Sequence, residues 1–500
     1  MFIGIDLGTS GVKAILLDRS NRVLASASAP LALLAQTPGH SVWREQNPDD
    51  WWTASEQAIV GLLAQARERG IDPAAIEAIG LTGQMHGATV LDAGGRVLRP
   101  AILWNDGRSF AECAELERRV PTSRQITGNL MMPGFTAPKL LWLSRHEPEI
   151  FGRIAMVLLP KDWLRYRLTG VYASDVSDAA GTLWLDVGRR DWNDALLAAT
   201  GLTRRQMPAL FEGTQVTGTL AADLAQRWGL KPVPVVAGAS DNAAGAIGAG
   251  VVKSGQAMLS LGTSGVYFAA CDGFHANPER AVHSFCHALP GTWHLMSVML
   301  SAAACLDFSA QLTGYHDVPA LLADAEALDA QGLVAGAPLF LPYLSGERTP
   351  HNDPHAQGVF FGLHAATTRA DLARSTLEGV GFGLCDGIDA VEAAGFIADD
   401  ITLIGGGSRS AYWAQMLADI SGRRLARRQG GDVGPALGAA RLAWLGMVDP
   451  SAGHDVLAEI CPVPECIAVY EPDAARHAVY GVRRQKFQQL YRQLQSLFAQ

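Results

Sequence analysis

A six-residue segment near the start of the chain, Leu7-Gly8-Thr9-Ser10-Gly11-Val12, occurs again letter for letter as Leu261 to Val266. Each copy lies between two short apolar runs, which in the first copy are Phe2 to Leu7 and Val12 to Leu17. Apolar runs on both sides of a Gly-Thr-Ser-Gly turn predict a β-hairpin. The copies lie half a chain apart, whereas solenoid repeats have periods of about 20–50 residues. We therefore expect two domains of similar topology.

The length of the chain agrees with this expectation. Single hydrophobic cores stop growing at about 250–300 residues, so a chain of 500 residues needs at least two of them. Hydrophobic residues make up 48% of the sequence and charged residues 18%, which is enough for two large cores. We predict one domain over residues 1–250 and a second over 251–500.

Composition excludes several classes of protein. The net charge is −9 and no run of lysines and arginines occurs, so we expect no nucleic-acid partner. The first residues lack the pattern of a signal peptide, and no segment offers about 20 apolar residues without a charge. The seven cysteines form no CxxC pair, which is typical of reduced thiols. These features predict a soluble, cytoplasmic protein with no membrane partner.

The order of local patterns predicts an α/β fold with helices layered on mixed sheets. After a strand at 23–28, a helix should begin at Pro48, with Asn47 as its N-cap and Gly70 after its last turn. In the second half we expect strands at 294–300, 339–341 and 401–404, and helices at 302–312, from about 369 and from 412. The tail, 473–498, is predicted to be an amphipathic helix on the flank of a domain. Whether it packs back on the first domain is left open.

The first hairpin carries groups that suit phosphate binding. Asp6 precedes the turn, Thr9 and Ser10 lie in it, and Lys13 follows within reach. Glycines let backbone amides approach an anion, and hydroxyl groups add further donors. A carboxylate beside such a turn can hold Mg²⁺, directly or through water.

The second hairpin lacks the acidic residue. Ser260 stands where the first copy has Asp6, and Gly262 and Thr263 form the turn. This asymmetry is expected if both turns contact one nucleotide and only the first supplies a carboxylate for the metal. The alternative is a pair of ordinary tight hairpins.

Three consecutive glycines, Gly405, Gly406 and Gly407, follow a β-branched strand and precede a predicted helix. Such a run lets a flat ring or a phosphate lie against the backbone at a helix N-terminus. Glycine also occurs at strand-to-helix junctions for packing alone. Its place in the second repeat makes this run a candidate adenosine site.

Asp241 is the one acidic residue in the small, apolar segment Gly238 to Gly245. It lies between a strand pattern and a helix predicted over 243–249, where an aspartate can act as an N-cap. A carboxylate at the carboxyl end of a strand, beside the boundary between domains, is also well placed to act as a general base. We favour the catalytic role and take the adjacent Asn242 as a substrate-binding candidate.

Two polar segments suit the binding of a small polyol. Met85 and His86 follow the strand pattern Ile76 to Leu81, and together they offer a hydrogen-bonding group and an apolar wall. Trp104 and Arg108 belong to a second segment of the same mixed character, Trp104-Asn105-Asp106-Gly107-Arg108. A histidine in a loop is otherwise more often a surface or core residue.

These motifs together resemble the FGGY family of carbohydrate kinases. Gly134 to Trp142 is similar to the family's first signature, and Gly358 to Glu378 is similar to its second. The paired hairpins and the late glycine run are similar to the phosphate and adenosine motifs of the wider actin, Hsp70 and hexokinase superfamily. The resemblance covers essentially the whole chain.

The resemblance implies two RNase H-like domains that flank a deep cleft, with sugar bound mainly to the first and ATP mainly to the second. Asp241 matches the family's catalytic aspartate, and Asp6 the aspartate that serves Mg²⁺ and phosphate, with the metal held through water. Met85-His86 matches the members that act on D-xylulose, whereas glycerol kinases carry Arg-Glu there. Ser240 departs from the pattern, because close relatives are expected to have glycine before the catalytic aspartate.

The implied activity is phosphorylation of D-xylulose by ATP to give D-xylulose 5-phosphate, a step of xylose catabolism. A kinase for another pentulose or an alditol is the alternative within the family. An actin-like ATPase is the alternative from another class. Analogy favours a homodimer, although the sequence itself does not predict the oligomeric state.

Overall fold

The computed structural model describes residues 1–35, 39–330, 332, 337–429, 434–448 and 455–498. The strands within these ranges, in chain order, are β1 (Phe2–Leu7), β2 (Gly11–Leu17), β3 (Val23–Pro30), β4 (Glu45–Gln46), β5 (Ala78–Gly83), β6 (Thr89–Leu91), β7 (Ala101–Ile102), β8 (Met156–Leu158), β9 (Ala173–Asp175), β10 (Leu185–Asp186), β11 (Asp191–Trp192), β12 (Ala209–Phe211), β13 (Val216–Thr219), β14 (Pro234–Val236), β15 (Ala239–Ser240), β16 (Gln256–Leu261), β17 (Gly265–Cys271), β18 (His283–Cys286), β19 (Trp293–Met299), β20 (Leu339–Pro342), β21 (Gly358–Phe361), β22 (Asp400–Ile404), β23 (Leu425–Arg428) and β24 (Cys466–Tyr470).

The α-helices within the same ranges are α1 (Pro48–Glu68), α2 (Phe110–Arg119), α3 (Ser123–Thr127), α4 (Thr136–His146), α5 (Pro148–Phe151), α6 (Pro160–Thr169), α7 (Val176–Ala180), α8 (Asp194–Ala199), α9 (Ala222–Trp228), α10 (Asp241–Gly248), α11 (Ala304–Thr313), α12 (Val318–Asp329), α13 (Arg369–Glu392), α14 (Ala411–Ser421), α15 (Pro435–Leu445), α16 (Asp455–Ile460) and α17 (Ala474–Phe498). The alternation of strands and helices confirms the predicted α/β class.

Among the described residues, two seven-stranded mixed sheets form the frame, one in each half of the chain. The first has the order β3-β2-β1-β5-β14-β13, with β15 also paired to β5, and the second has the order β18-β19-β17-β16-β22-β23-β24. In each sheet the hairpin strands, β1 with β2 and β16 with β17, pair antiparallel. The first strand of each hairpin also pairs in parallel with a strand on its other side, β5 or β22. An antiparallel strand, β13 or β24, forms the far edge of each sheet. The half-chain repeat in the sequence is therefore a repeat of topology.

Both copies of the repeated segment fold as hairpins. In the first, β1 pairs with β2 so that Asp6 faces Lys13 across the strands, and the parallel neighbour β5 brings Thr82 beside Asp6. In the second, Ser260 pairs with Val266. Because β1 and β5 run in parallel, the turn after β1 and the segment after β5 lie at the same edge of the sheet.

The local signals for α1 are realised in the structure. Asn47 has an extended backbone and its side chain accepts a hydrogen bond from the backbone N–H of Asp49, while Pro48 is the first helical residue. Such a cap satisfies one of the donors that the first turn leaves without a partner. The buried face of α1, which includes Trp51, packs against β2 and β3.

Helix α15 belongs to the second half of the chain, yet it packs on the first sheet. It lies against β1, β5 and α10. The approach is close because glycines remove side chains at the contact: a Cβ at Gly4 would lie 2.0 Å from the Ala436 carbonyl oxygen, and one at Gly80 would lie 1.8 Å from that of Ala439. The two halves therefore share a buried layer of small residues.

The last helix, α17, packs on the second half of the molecule. It contacts α13, α14 and β20. Arg483 pairs with Glu378, Arg484 pairs with Asp386, and the Tyr491 hydroxyl donates to Asp353. The last helix therefore lies on the flank of the second half, a point that the sequence left open.

Within the described ranges, we find no helix that combines the length and the apolar character needed to span a membrane.

Candidate active site

A cavity of about 580 Å³ opens between the two halves of the molecule. Five of the residues predicted to bind or activate the substrate line it, namely Met85, His86, Trp104, Asp241 and Asn242. The second half contributes residues that include Ser264 from the second hairpin turn. The cavity therefore joins the predicted sugar-binding segments to the predicted base.

Asp241 is the first residue of α10 and directly follows β15, so the helix starts two residues earlier than predicted. Its Oδ1 accepts hydrogen bonds from the backbone and side-chain nitrogens of Asn242, at 2.8 and 3.0 Å. Burial raises the pKa of Asp241 to about 6, although the hydrogen bonds from Asn242 work in the opposite direction. The carboxylate is thus ionised at neutral pH and more basic than an exposed one, which suits a general base.

Asp6 lies close enough to Asp241 for their charges to interact. Burial and the charge of Asp241 raise the pKa of Asp6 to about 7, and the cation of Lys13 works against that rise. Two carboxylates in a poorly solvated place favour a cation between or beside them. The donor set of Asp6 and Asp241 therefore fits a hard divalent ion such as Mg²⁺.

The first hairpin turn is tied to the sugar-binding segments. The Thr9 hydroxyl donates to the side-chain oxygen of Gln84 at 3.0 Å and accepts from the Trp104 indole nitrogen at 3.0 Å. Its hydrogen is therefore used within the protein, whereas Ser10 is exposed at the tip of the turn. Among the predicted phosphate ligands in this turn, Ser10 and the backbone amides are those left for an anion.

The second hairpin turn lies beside the N-terminus of α11. The carbonyl oxygens of Gly262 and Thr263 accept hydrogen bonds from the backbone of Ala303 and Ala302, both at 2.9 Å. The Thr263 side chain is exposed. The backbone of this turn is thus fixed while its hydroxyl group faces solvent, as a phosphate-binding turn requires.

The glycine run packs directly against the second hairpin. Gly405 has a positive φ of 86°. A Cβ there would lie 2.9 Å from the Leu261 carbonyl carbon, and one at Gly407 would lie 2.5 Å from the Trp413 ring. A Cβ at Gly406, between them, would meet no atom of the described residues within 4 Å, and this glycine is exposed. The candidate adenosine and phosphate motifs of the second half are therefore adjacent.

His86 is held as a neutral ring. Its backbone has a positive φ of 68°, and its Nδ1 lies 2.6 Å from the Gly181 carbonyl oxygen. Burial, with a smaller effect from the Lys139 cation, lowers the pKa of His86 to about 3. A neutral imidazole whose Nδ1–H donates to that carbonyl has an acceptor at Nε2. His86 can therefore accept a hydrogen bond from a substrate hydroxyl.

Aromatic rings give the cavity an apolar wall. The Phe135 ring meets the His86 ring edge-on, with 4.5 Å between centroids, and also contacts His283 and Phe285. Trp104 is 40% exposed and offers its indole face at the opening. Apolar surfaces beside a few polar groups are typical of sites for small polyols.

Arg108 differs from the prediction, because the structure places it behind the cavity wall. Its guanidinium stacks 3.9 Å from the centre of the Trp43 ring and pairs with Asp106 and Glu45, both at 2.7 Å. Asp106 itself lines the cavity. Arg108 therefore fixes the carboxylate of Asp106 and is not among the residues that line the cavity in the described part of the chain.

A buried cluster of charges supports the segment before Asp241. The Lys161 ammonium lies 2.6 Å from Asp162, 2.7 Å from Asp175 and 3.3 Å from Asp178. The three carboxylates have the spacing of metal ligands, but the lysine supplies the cation they need. Asp175 also accepts from Ser177, whose hydroxyl in turn accepts from the Ser240 backbone N–H at 3.0 Å. This chain of hydrogen bonds holds the residue next to Asp241.

Sequence reasoning missed several residues that line the cavity. Phe135 lies within the segment taken as a family signature, so its position carried a signal. His283 lies in β18, where nothing in the local pattern sets it apart. Glu347 and Arg348 lie in the loop after β20, in a polar stretch of the sequence that does not set them apart.

Two sheets of like topology, two hairpin turns of identical sequence, and a cavity between the halves that Asp241 lines are the features expected of a phosphotransferase for a small polar substrate. The chain belongs to the FGGY family of carbohydrate kinases. The N-terminal domain of that family matches residues 1–248, and its C-terminal domain matches residues 257–447.

The relatives agree with this assignment over the full length. The chain is 58% identical to xylulose kinase of Escherichia coli K12 over 499 residues, which covers 100% of both chains. It is 56% identical to xylulose kinase of Klebsiella pneumoniae, again with 100% of both chains covered. A crystal structure described as a xyloylose kinase from Brucella ovis is 47% identical, with a TM-score of 0.91 and 99% of each chain covered. The predicted fold of two RNase H-like domains around a cleft is confirmed.

Proposed function

We propose that this protein transfers the γ-phosphoryl group of ATP to the 5-hydroxyl of D-xylulose, which yields D-xylulose 5-phosphate and ADP. The observation that carries the proposal is that Asp241 and the Met85-His86 pair line one cavity between the two halves. The relatives named xylulose kinase, which match the chain from end to end, support the choice of sugar.

Asp241 is the general base in this proposal. Its carboxylate accepts the proton of the sugar's 5-hydroxyl as that oxygen attacks the γ-phosphorus, and the bond to the β,γ-bridging oxygen breaks. The pKa of about 6 leaves Asp241 ionised at pH 7 and able to take a proton. Asn242 donates to the same carboxylate and so keeps it oriented.

The sugar is held by the first half of the chain. The neutral His86 accepts a hydrogen bond from a sugar hydroxyl through Nε2, while Met85, Trp104 and Phe135 cover the carbon skeleton. Asp106, at the cavity wall, accepts hydrogen bonds from Arg44 and Arg108 through its two carboxylate oxygens and so fixes that wall. Hydroxyl groups of a ketose need acceptors at fixed places, and His86 provides one.

The nucleotide lies across both hairpins in this proposal. Ser10, Lys13 and the backbone of the first turn contact the phosphates from one side, and Gly262 and Thr263 contact them from the other. The adenosine lies against the glycine run, Gly405 to Gly407. Because phosphoryl transfer depends mainly on positioning and charge neutralisation, two fixed turns on either side of the phosphates supply much of the rate.

Magnesium fits the acidic side of this site. Asp6 would hold it, beside Asp241 and the first turn, because burial and the charge of Asp241 raise the pKa of Asp6 and so favour a cation there. When bound, the ion neutralises charge on the phosphates. Lys13, on the facing strand, adds a fixed positive charge of its own.

A panel of sugars tests the proposal, with ADP release measured in the presence of ATP and Mg²⁺. We expect D-xylulose to give the highest kcat/KM among ketopentoses, alditols and glycerol. A clear preference for ribulose or an alditol would move the assignment to another member of the family. ADP release that is rapid and indifferent to every sugar would instead favour the actin-like ATPase.

A further inference from the structure

The loop after β20 places two charged side chains of the second half in the cavity. Glu347 and Arg348 both line it. Oε1 of Glu347 accepts hydrogen bonds from the backbone N–H groups of Leu300, at 3.0 Å, and Arg348, at 2.7 Å. Its Oε2 is buried and has no hydrogen-bond partner in the part of the chain that the structure describes. A carboxylate oxygen that is buried without a partner indicates a group that a ligand completes.

The Arg348 guanidinium is likewise free for a ligand. Among residues 1–35, 39–330, 332, 337–429, 434–448 and 455–498, its side chain forms no ion pair or hydrogen bond. The adjacent Glu347 carboxylate is engaged by backbone donors and does not pair with it. The charge of Glu347 acts on Arg348, but no acceptor among the described residues takes a hydrogen bond from the guanidinium. Donors that line a cavity without a protein partner are available to a ligand.

Backbone contacts hold this loop rigidly against the second sheet. The Thr349 backbone N–H donates to the Val298 carbonyl, and the Thr349 hydroxyl accepts from the Val298 N–H, both at 3.1 Å. That hydroxyl also donates to the Ala281 carbonyl at 2.9 Å. Arg348 is therefore presented from a fixed backbone, which lowers the cost of ordering it on a ligand.

Arg348 faces the sugar-binding side of the cavity. Its charge contributes to lowering the pKa of both His86 and His283, so the guanidinium lies near both rings. His86 comes from the first half, while Arg348 comes from the second. A planar array of N–H donors suits neighbouring oxygens of a ketose, which are neutral and rich in lone pairs.

We propose that Arg348 binds the sugar directly, as a specificity-determining residue that the second half contributes to the site. It donates hydrogen bonds to oxygens of the ketose other than the 5-hydroxyl, which the base engages. The inference rests on the proposed function. In this proposal the sugar contacts His86 of the first half and Arg348 of the second. Sugar binding itself would therefore draw the two halves together.

Steady-state kinetics of Arg348→Met and Arg348→Gln test the proposal. We expect the KM for D-xylulose to rise about 10- to 100-fold, because a hydrogen bond from a charged donor is lost. The KM for ATP should stay within about threefold of the parent value. Arg189→Met, at an arginine 86% exposed on the first half, is the control and should change neither constant. An unchanged KM for D-xylulose in both variants, or an equal rise in both KM values, would overturn the proposal.

Deoxy analogues of D-xylulose separate direct contact from a structural role. If Arg348 touches one oxygen, the analogue that lacks it loses about 10- to 100-fold in kcat/KM with the parent enzyme and little with Arg348→Gln. Equal losses in parent and variant for the 1-, 3- and 4-deoxy analogues and for the analogue with a methylene group in place of the C2 carbonyl would exclude the contact. A parent enzyme that phosphorylates no ketopentose would instead overturn the proposed function, and with it this assignment.

Discussion

Three side chains in or beside the cavity show how burial changes the pKa of single residues. Burial raises the pKa of Asp241 to about 6 and that of Asp6 to about 7, and it lowers the pKa of His86 to about 3. The same desolvation thus makes two carboxylates more basic and keeps an imidazole neutral. A base, a cation site and a hydrogen-bond acceptor result from three ordinary residue types.

The pH dependence of kcat/KM for D-xylulose should show one acid limb. Asp241 must be ionised to accept a proton, and its pKa is about 6, so activity falls about tenfold per pH unit below that value. Saturating Mg²⁺ should keep Asp6 ionised, so the profile should be level above the pKa of Asp241. The measurement is a series of initial rates from about pH 4.5 to 8 at saturating Mg²⁺ and ATP. A level profile down to about pH 5 would contradict the assignment of Asp241 as base.

Asp6→Asn should abolish activity and yet stabilise the protein in the absence of ligands. The folded-state pKa of Asp6, about 7, lies above the ordinary value of 3.8, so its ionised form opposes folding. That penalty is absent below the ordinary value and complete above about pH 7, so the gain in Tm should be largest near pH 8 and vanish near pH 4. Thermal melting at these two pH values checks the prediction. A lower Tm for the variant at pH 8 would contradict it.

Among the helices and strands, the sequence predicted most of the framework. The two hairpins, the capped start of α1, and the helices α13 and α17 follow local signals that tertiary packing does not override. The sequence also predicted a shared location for Asp241, His86 and Trp104, because polar residues that follow strands share one edge of a sheet, and the three line one cavity. In each of these features a few consecutive residues determine the local structure.

The rest depends on contacts between distant segments. The packing of α15 on the first sheet, the cluster around Lys161 and the approach of Arg348 to His86 join residues that lie far apart in the chain, often in different halves. The sequence did not predict the position of Arg108 for the same reason: its charge pairs with Glu45, a partner that no local pattern indicates. Such pairings require the complete fold.

The crossing of α10 and α15 gives a test of how these elements pack. A Cβ at Gly438 would lie 1.8 Å from the Ala244 carbonyl oxygen, so Gly438→Ala should push the helices apart and cost about 1–3 kcal/mol. A Cβ at Gly245 in α10 would meet no described atom within 4 Å, so Gly245→Ala is the matched control and should stabilise by about 0.5–1 kcal/mol. Chemical denaturation of the unliganded proteins measures both. Equal stability of the two variants would refute the close crossing.

For the whole molecule, the proposed reaction requires closure of the cleft. Sugar contacts and phosphate contacts come from both halves, so a ternary complex should be more compact than the free protein. Small-angle scattering should show a smaller radius of gyration when D-xylulose and a non-hydrolysable ATP analogue are both present. Scattering with either ligand alone is the control, and an unchanged radius in the ternary mixture would contradict closure.

The duplicated topology of the whole molecule also bears on its proposed function. The two sheets repeat one topology, but Asp6 in the first hairpin corresponds to Ser260 in the second. In the proposed reaction both hairpin turns contact the phosphates. The first half adds the acidic group and the sugar-binding segments, and the second half adds the glycine run beside its turn. The two halves thus share one topology but carry different functional groups, and both substrates would bind between them.

In the proposed mechanism, Asp241 acts as the general base for transfer of a phosphoryl group to the 5-hydroxyl of D-xylulose. Phosphorus and proton NMR of a mixture of protein, D-xylulose, ATP and Mg²⁺ follows that transfer directly. We expect one new phosphomonoester, coupled to the C5 protons and equal in amount to the ADP formed, with a rate about 10²–10⁴ lower for Asp241→Asn. Phosphate at another carbon, ADP accompanied only by inorganic phosphate, or an undiminished rate in Asp241→Asn would contradict the mechanism.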